Sequence, residues 1–176
     1  IGVIASIALT PLAFAATDDA VADAIADTVT PITSPYDSRD YRVLTLENGL
    51  NVLLVSDPEA DKAAASMNVR VGSAQDPDDL KGLAHFLEHM LFLGTEPYPE
   101  SDAYQRYISN NAGSHNAFTA QQDTNYFFDI EPSALPGALD RFSEFFLSPL
   151  FNADHLESER NIVHSEYMAR IRDESR

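Results

Sequence analysis

Residues 81–97 have the sequence KGLAHFLEHMLFLGTEP, which contains His85, Glu88 and His89 at the spacing H-x-x-E-H. An α-helix turns about 100° per residue, so Glu88 lies about 60° to one side of His85 and His89 about 40° to the other. The three polar groups therefore share one face. The other residues from 83 to 93 are apolar, which predicts a helix that is buried on its remaining sides.

Two imidazoles and a carboxylate on a buried helix need partners, because unpaired buried polar groups destabilise a fold. A divalent metal ion is one such partner. Two neutral imidazoles one helical turn apart chelate Zn²⁺, and a neighbouring carboxylate holds the water molecule at the metal. The alternative is a pair of hydrogen-bonded core histidines, and we favour the metal site.

The composition argues against several classes of function. The 176 residues suffice for one domain with a hydrophobic core. The formal charge of −17 results from 28 acidic and 11 basic residues, and no basic run occurs, so a nucleic-acid partner is not expected. The sequence has no cysteine, which excludes disulfide bonds, thiolate metal sites and cysteine nucleophiles.

Residues 1–15 have the pattern of a secretory signal peptide that lacks its positive n-region. The apolar run IGVIASIALTPL precedes Ala13-Phe14-Ala15, an A-x-A cleavage site. This run is shorter than the about 20 apolar residues of a transmembrane helix. A buried N-terminal helix is the alternative interpretation. We expect an exported protein, periplasmic or alternatively secreted, in which residues 16–40 form a flexible leader.

Residues 41–176 have the pattern of a folded α+β domain. Two β-branched runs flank Glu47-Asn48-Gly49, as is typical of a hairpin. Further strands are predicted at 64–72, 114–119 and 124–130, and helices at 83–93, 101–111, 132–147 and from 154 to beyond 170. This order predicts an antiparallel-rich β-sheet packed against helices. The chain begins with Ile1 and ends within a helical pattern, so we expect the front piece of a longer protein.

The last predicted helix offers candidates for a third metal ligand. A catalytic zinc site usually takes three protein ligands and a water molecule. Glu159 and Glu166 are two helical turns apart and share one face, whereas Glu157 and His164 share another. Within either pair, one side chain could bind the metal while the other supports a ligand. Helical spacing leaves the choice between the two pairs open.

Four segments resemble the pitrilysin/insulysin family of zinc peptidases, the inverzincins. They are GLAHFLEHMLFLGTEPYP at 82–99, GSHNAFTAQQDTNYFFDI at 113–130, ALDRFSEFFLSPLF at 138–151 and ERNIVHSEY at 159–167. The resemblance covers residues 41–176 and is strongest to the insulin-degrading-enzyme branch. It implies that these residues form the first, catalytic domain of a pitrilysin-like metallopeptidase, truncated at residue 176.

The resemblance also implies roles at the metal. It assigns one Zn²⁺ per chain to the ligands His85, His89 and Glu166. Glu88 would be the catalytic base that activates the zinc-bound water, and Glu159 would support a ligand. On this assignment the other pair left open above, Glu157 and His164, consists of solvated helix residues, and His115 and His155 have no assigned role.

The resemblance further implies that Asn116, Ala117 and Phe118 lie on an edge strand that pairs with an extended peptide substrate. The expected function is zinc-dependent endoproteolysis of peptides and small proteins. The expected partners are peptide substrates and the C-terminal half of the same enzyme, without which the piece would not be fully active. The alternatives are a non-catalytic family member that serves in assembly and a zinc-binding module. Mn²⁺ or Co²⁺ would suit the same ligands.

Overall fold

The computed structural model of the chain describes residues 3–9, 25–29 and 31–171. This part of the chain forms one seven-stranded sheet and four helices. The strands are β1 (Val3–Leu9), β2 (Ile25–Val29), β3 (Asp40–Leu46), β4 (Asn51–Ser56), β5 (Ala63–Val69), β6 (Ser114–Thr119) and β7 (Thr124–Ile130). The helices are α1 (Leu83–Leu91), α2 (Ala103–Asn110), α3 (Leu135–Leu147) and α4 (Ala153–Ile171), and 3₁₀ turns occupy Ser73–Gln75 and Pro132–Ala134.

The strand order is β2-β3-β4-β1-β5-β7-β6, which places β2 and β6 at the two edges of the sheet. Five neighbouring pairs are antiparallel, and β1 with β4 is the parallel pair. The predicted hairpin is formed by β3 and β4, and Gly49 in its turn has a φ of +84°, which glycine adopts without strain. The predicted α+β fold with an antiparallel-rich sheet is confirmed.

Two strands lie in the segments to which a signal peptide and a flexible leader were assigned. β1 pairs on one side with Asn51–Ser56 of β4 and on the other with Ala65–Val69 of β5, and β2 pairs with β3. The segment assigned to the leader contains the strand Ile25–Val29. A short apolar, β-branched run fits a central strand as well as a signal peptide. Residues 1, 2, 10–24 and 30 lie outside the described part of the chain.

The hydrophobic core lies between one face of the sheet and the helices. Alternate side chains of β5 and β7 point inwards, and α2 and α3 cover them with aromatic and aliphatic side chains. The central members of this core are Ala63, Ala65, Tyr126, Phe128 and Ile130 of the sheet, Tyr104 and Ile108 of α2, and Ala138, Phe142 and Phe145 of α3. Each large side chain of this kind contributes about 1.5–3 kcal/mol when fully buried. The core also packs against Phe92, directly after α1.

The loop between β6 and β7 is held against the segment that follows β5. Ser73 N donates to Ala120 O at 2.9 Å, and Ala74 N donates to Gln121 O at 2.8 Å. A Cβ atom at Gly72 would lie only 2.4 Å from Ala120 O, so this close approach requires glycine. The contact fixes the end of β6 relative to the segment that leads into α1.

Asp76 caps the N-terminus of α1. Its Oδ2 accepts a hydrogen bond from Gly82 N at 2.7 Å, and its Oδ1 accepts one from Ala84 N at 2.9 Å. These N–H groups have no partner within the helix, and a carboxylate is favoured at the positive end of the helix dipole. Gly82, at the usual capping position, has no side chain for this purpose. The more distant Asp76 therefore fixes where α1 begins.

The described residues bury α1 less completely than its sequence predicts. Met90 and Leu91 are buried, whereas Leu83 and Leu87 are each 42% exposed. The expectation that every apolar side of this helix is covered is therefore wrong within this part of the chain. The sheet and α4 cover the polar and inner faces of α1 and leave Leu83 and Leu87 on its outer side. Among the described residues, no helix is both long and apolar enough to cross a membrane.

Replacing the capping carboxylate should loosen the start of α1. Asp76→Ala is expected to lower the stability of the first turn of α1 by about 1–2 kcal/mol, because two N–H groups at the helix start lose their acceptor. In the full-length protein, hydrogen exchange of the first α1 amides should accelerate by about 5- to 30-fold. Asp78→Ala is the matched control, since Asp78 is exposed and pairs with Lys81 at the surface. Equal exchange rates in the two variants would contradict the capping role.

Candidate metal centre

His85, His89 and Glu166 meet where α1 packs against α4. His85 Nε2 lies 3.2 Å from His89 Nε2 and 3.4 Å from Glu166 Oε2, and His89 Nε2 lies 4.0 Å from the same oxygen. With metal–ligand bonds of about 2.1 Å, the corners of a tetrahedron are about 3.4 Å apart. The three atoms therefore have the spacing and the chemistry of a tetrahedral metal site. All three residues are only partly buried, which leaves an approach to the site.

Glu159 orients the ring of His89. Its Oε2 lies 3.1 Å from His89 Nδ1. An ionised carboxylate only accepts hydrogen bonds, so Nδ1 carries the hydrogen and Nε2 presents its lone pair to His85 and Glu166. The structure thus brings Glu159 to the outer side of the histidine and Glu166 to the metal-facing side.

The other pair that helical spacing left open lies away from the cluster. Glu157 is exposed and forms an ion pair with Arg160 at 2.6 Å, and His164 is exposed on the same helix. His115 is packed against the rings of Phe92 and Tyr104, and its burial lowers its pKa. None of these three residues belongs to the metal-binding group within the described part of the chain.

The side chain of Glu88 is buried between α1 and the sheet, and Glu88 directly precedes the candidate ligand His89 in the sequence. It is 7% exposed, and its Oε2 accepts a hydrogen bond from Thr119 Oγ1 at 2.5 Å. Burial, and to a smaller extent the charge of Glu88, raise the pKa of Tyr126. Glu88 is thus a fixed, buried carboxylate outside the group of three ligands. Sequence analysis did not identify Thr119, because its contact with α1 depends on how the hairpin packs.

Asn116, Ala117 and Phe118 lie on β6, at the edge of the sheet that is nearest to α1. Asn116 and Phe118 are exposed, the latter by 51%, whereas Ala117 is half-buried. Asn116 Oδ1 accepts a hydrogen bond from Ala117 N at 2.9 Å. This main-chain donor therefore has a side-chain partner at a strand edge that no other described strand covers.

Two histidines and a buried glutamate on an H-x-x-E-H helix, met by a glutamate from a second helix, have the arrangement typical of the inverted zincin class. The sequence model of the insulinase family, peptidase family M16, matches residues 51–174. The chain belongs to this family, and the predicted membership is confirmed.

Individual relatives agree with this assignment. The chain is 53% identical over 139 residues to insulin-degrading enzyme-like 2 of Arabidopsis thaliana, which covers 79% of this chain and 14% of the relative. It is 52% identical over 134 residues to the insulin-degrading enzyme of Homo sapiens, and the match covers 76% of this chain and 13% of the human enzyme. The A-factor-processing enzyme of Saccharomyces cerevisiae is 54% identical over 130 residues, which cover 74% of this chain and 13% of the yeast enzyme.

A solved structure of pitrilysin has the same fold. It superposes with a TM-score of 0.78 at 43% sequence identity, covering 84% of this chain and 16% of the pitrilysin chain. The chain spans about one seventh of the length of the curated relatives that it matches. The similarity to pitrilysin extends the family assignment from sequence to structure.

Removing a candidate ligand should remove the metal. His89→Ala in the full-length protein is expected to lose the bound zinc, because only two ligands of the cluster remain. Glu159→Ala should keep the site but weaken its zinc affinity by about 10- to 100-fold, since His89 loses its orienting partner. Elemental analysis and competition with a chelator would measure both effects. Glu157→Ala, on the same helix, is the control. A folded wild-type protein that binds no zinc would contradict the site.

Proposed function

We propose that this chain carries the metal site and the catalytic base of a zinc-dependent endopeptidase that hydrolyses peptides and small proteins. The observation that carries the proposal is the convergence of His85, His89 and Glu166, with Glu88 buried on the same helix as the two histidines. Two imidazole nitrogens and a carboxylate oxygen suit Zn²⁺, although Mn²⁺ and Co²⁺ accept the same donors. Membership in a peptidase family supports the choice of reaction.

Each side chain of the site has a separate role in the proposed hydrolysis. His85, His89 and Glu166 would hold one Zn²⁺, which when bound lowers the pKa of a water molecule and polarises the scissile carbonyl. Glu88 takes a proton from the attacking water as general base and gives it to the leaving amine as general acid. Glu159 keeps His89 in the tautomer that presents Nε2. The burial of Glu88 keeps bulk water from competing for its carboxylate.

The edge of β6 that no other described strand covers suits an extended peptide. Ala120 N donates to Asp123 O across the hairpin, so the alternation of an antiparallel ladder turns the main-chain groups of Ala117 and Thr119 away from β7. A substrate strand that pairs with this edge would gain main-chain hydrogen bonds with little demand on its side chains. Asn116, Ala117 and Phe118 are the proposed substrate-binding residues, and the Asn116 side chain would leave Ala117 N as the peptide binds.

The proposed activity belongs to the full-length protein. The chain covers only 13–14% of its curated relatives, so most of what they contain lies outside it. We propose that the C-terminal half supplies further substrate-binding groups and is a partner of this domain. The relatives include an insulin-degrading enzyme and an A-factor-processing enzyme, which supports peptides as the class of substrate.

For the location, we propose export to the periplasm, or alternatively secretion, with residues 1–15 as the signal peptide. The apolar run and the A-x-A site support this proposal. Family membership does not decide the location, since one relative is a peroxisomal form from Arabidopsis thaliana.

The role of Glu88 can be separated from metal binding. Glu88→Gln in the full-length protein should keep one zinc per chain and lose about 10²- to 10⁴-fold in peptide hydrolysis, because an amide cannot accept the proton. Cleavage of a fluorogenic peptide and elemental analysis would measure the two properties. Glu157→Gln is the matched exposed control. Undiminished hydrolysis by Glu88→Gln would rule out Glu88 as the base, and an inactive, zinc-loaded wild type would favour a non-catalytic family member.

Export predicts a specific N-terminus. The mature full-length protein should begin at Ala16 and be recovered from the periplasm or the medium, as measured by fractionation and mass spectrometry. Replacing both Ala13 and Ala15 with Asp should block cleavage, because signal peptidase requires small residues there. A cytoplasmic wild-type protein that retains residues 1–15 would contradict export and would keep β1 in the mature fold.

A further inference from the structure

Thr119 connects the edge strand to the buried carboxylate of α1. It is the last residue of β6, and its side chain lies on the face of the sheet that α1 covers. Its hydroxyl donates to Glu88 Oε2 at 2.5 Å. The bond links two segments that are 31 residues apart in the chain.

The Thr119 hydroxyl has two oxygen atoms near enough to accept its hydrogen, one on Glu88 and one on Thr124. Thr124 is buried, and its hydroxyl donates to Val71 O at 2.8 Å. A carbonyl oxygen can only accept, so the single hydroxyl hydrogen of Thr124 is committed to Val71. Thr124 Oγ1 lies 3.4 Å from Thr119 Oγ1, which is a longer contact than that to Glu88. Glu88 Oε2 is the nearer of the two acceptors, so the Thr119 hydroxyl hydrogen is directed to the carboxylate.

The position of Thr119 is fixed by the backbone on both sides. Thr119 and Thr124 are directly opposite in the β6–β7 ladder. The next residue, Ala120, bonds to Asp123 within the hairpin and accepts a hydrogen bond from Ser73 in the segment after β5. A hydroxyl on so constrained a backbone is oriented before any substrate arrives.

We propose that Thr119 is a positioning residue for Glu88, an inference that rests on the function proposed above. Its hydroxyl keeps Oε2 of Glu88 as a hydrogen-bond acceptor, so that Oε1 receives the proton of the attacking water. The main chain of Thr119 also faces the free edge of β6. A peptide bound along that edge therefore steadies the same residue that orients the base.

The test removes the hydroxyl but keeps the shape of the side chain. In the zinc-loaded full-length protein, Thr119→Val should lower kcat by about 10- to 100-fold with KM changed less than about twofold. Thr119→Ser should restore most of kcat, because the hydroxyl returns. The zinc content should equal that of the wild type. Crystals of Thr119→Val should show the Glu88 carboxylate turned from its wild-type orientation, which is a readout independent of activity.

Thr45→Val on β3 is the matched control, because it removes a hydroxyl that bonds to Asn51 far from the metal-binding helices. A Thr119→Val protein with wild-type kcat would overturn the proposal. So would a Thr119→Ser protein as slow as Thr119→Val, since packing and not the hydroxyl would then matter. If the zinc-loaded wild type hydrolyses no peptide, the proposed function fails, and the orientation of Glu88 in the Thr119→Val crystals still decides the positioning role.

Discussion

The contact between His89 and Glu159 is the interaction on which the site depends. It joins α1 to α4, two helices from distant parts of the chain, through one hydrogen bond of 3.1 Å. The same bond selects the tautomer of His89 and brings Glu166, two turns further along α4, within reach of both histidines. A metal ion and this hydrogen bond would therefore stabilise the same helix–helix contact. Folding and metal binding would then be linked, because both require α4 in one position.

Helix α1 is held in position by contacts on several of its sides. Asp76 fixes its first turn, the aromatic core packs behind its last turn, and Thr119 contacts its middle. Gly72 permits the close contact that joins two of these supports. The apolar side at Leu83 and Leu87, each 42% exposed, is only partly covered by the described residues. The polar face of the helix is thus more firmly positioned than its outer side.

Local sequence patterns predicted the elements whose conformation depends mainly on residues close by in the sequence. The hairpin at Gly49, the alternation of β7 and the shared face of His85 and His89 follow from turn chemistry and helical period. The choice of Glu159 and Glu166 over Glu157 and His164 came from family resemblance, because helical spacing does not say which face of α4 meets α1. Asp76 and Thr119 were missed, since their partners are set by loop packing and not by a fixed spacing.

The placement of β1 has a consequence for the topology of the sheet. β4 and β5 are consecutive in the chain, yet each pairs with β1 and not with the other. Neighbouring strands lie about 4.8 Å apart, so cleavage after Ala15 would leave β4 and β5 separated by a gap about 10 Å wide with two unpaired edges. Unpaired edges in the middle of a sheet recruit another strand or cause aggregation. A mature protein without residues 1–15 would therefore need to complete its sheet with a strand from elsewhere in the molecule.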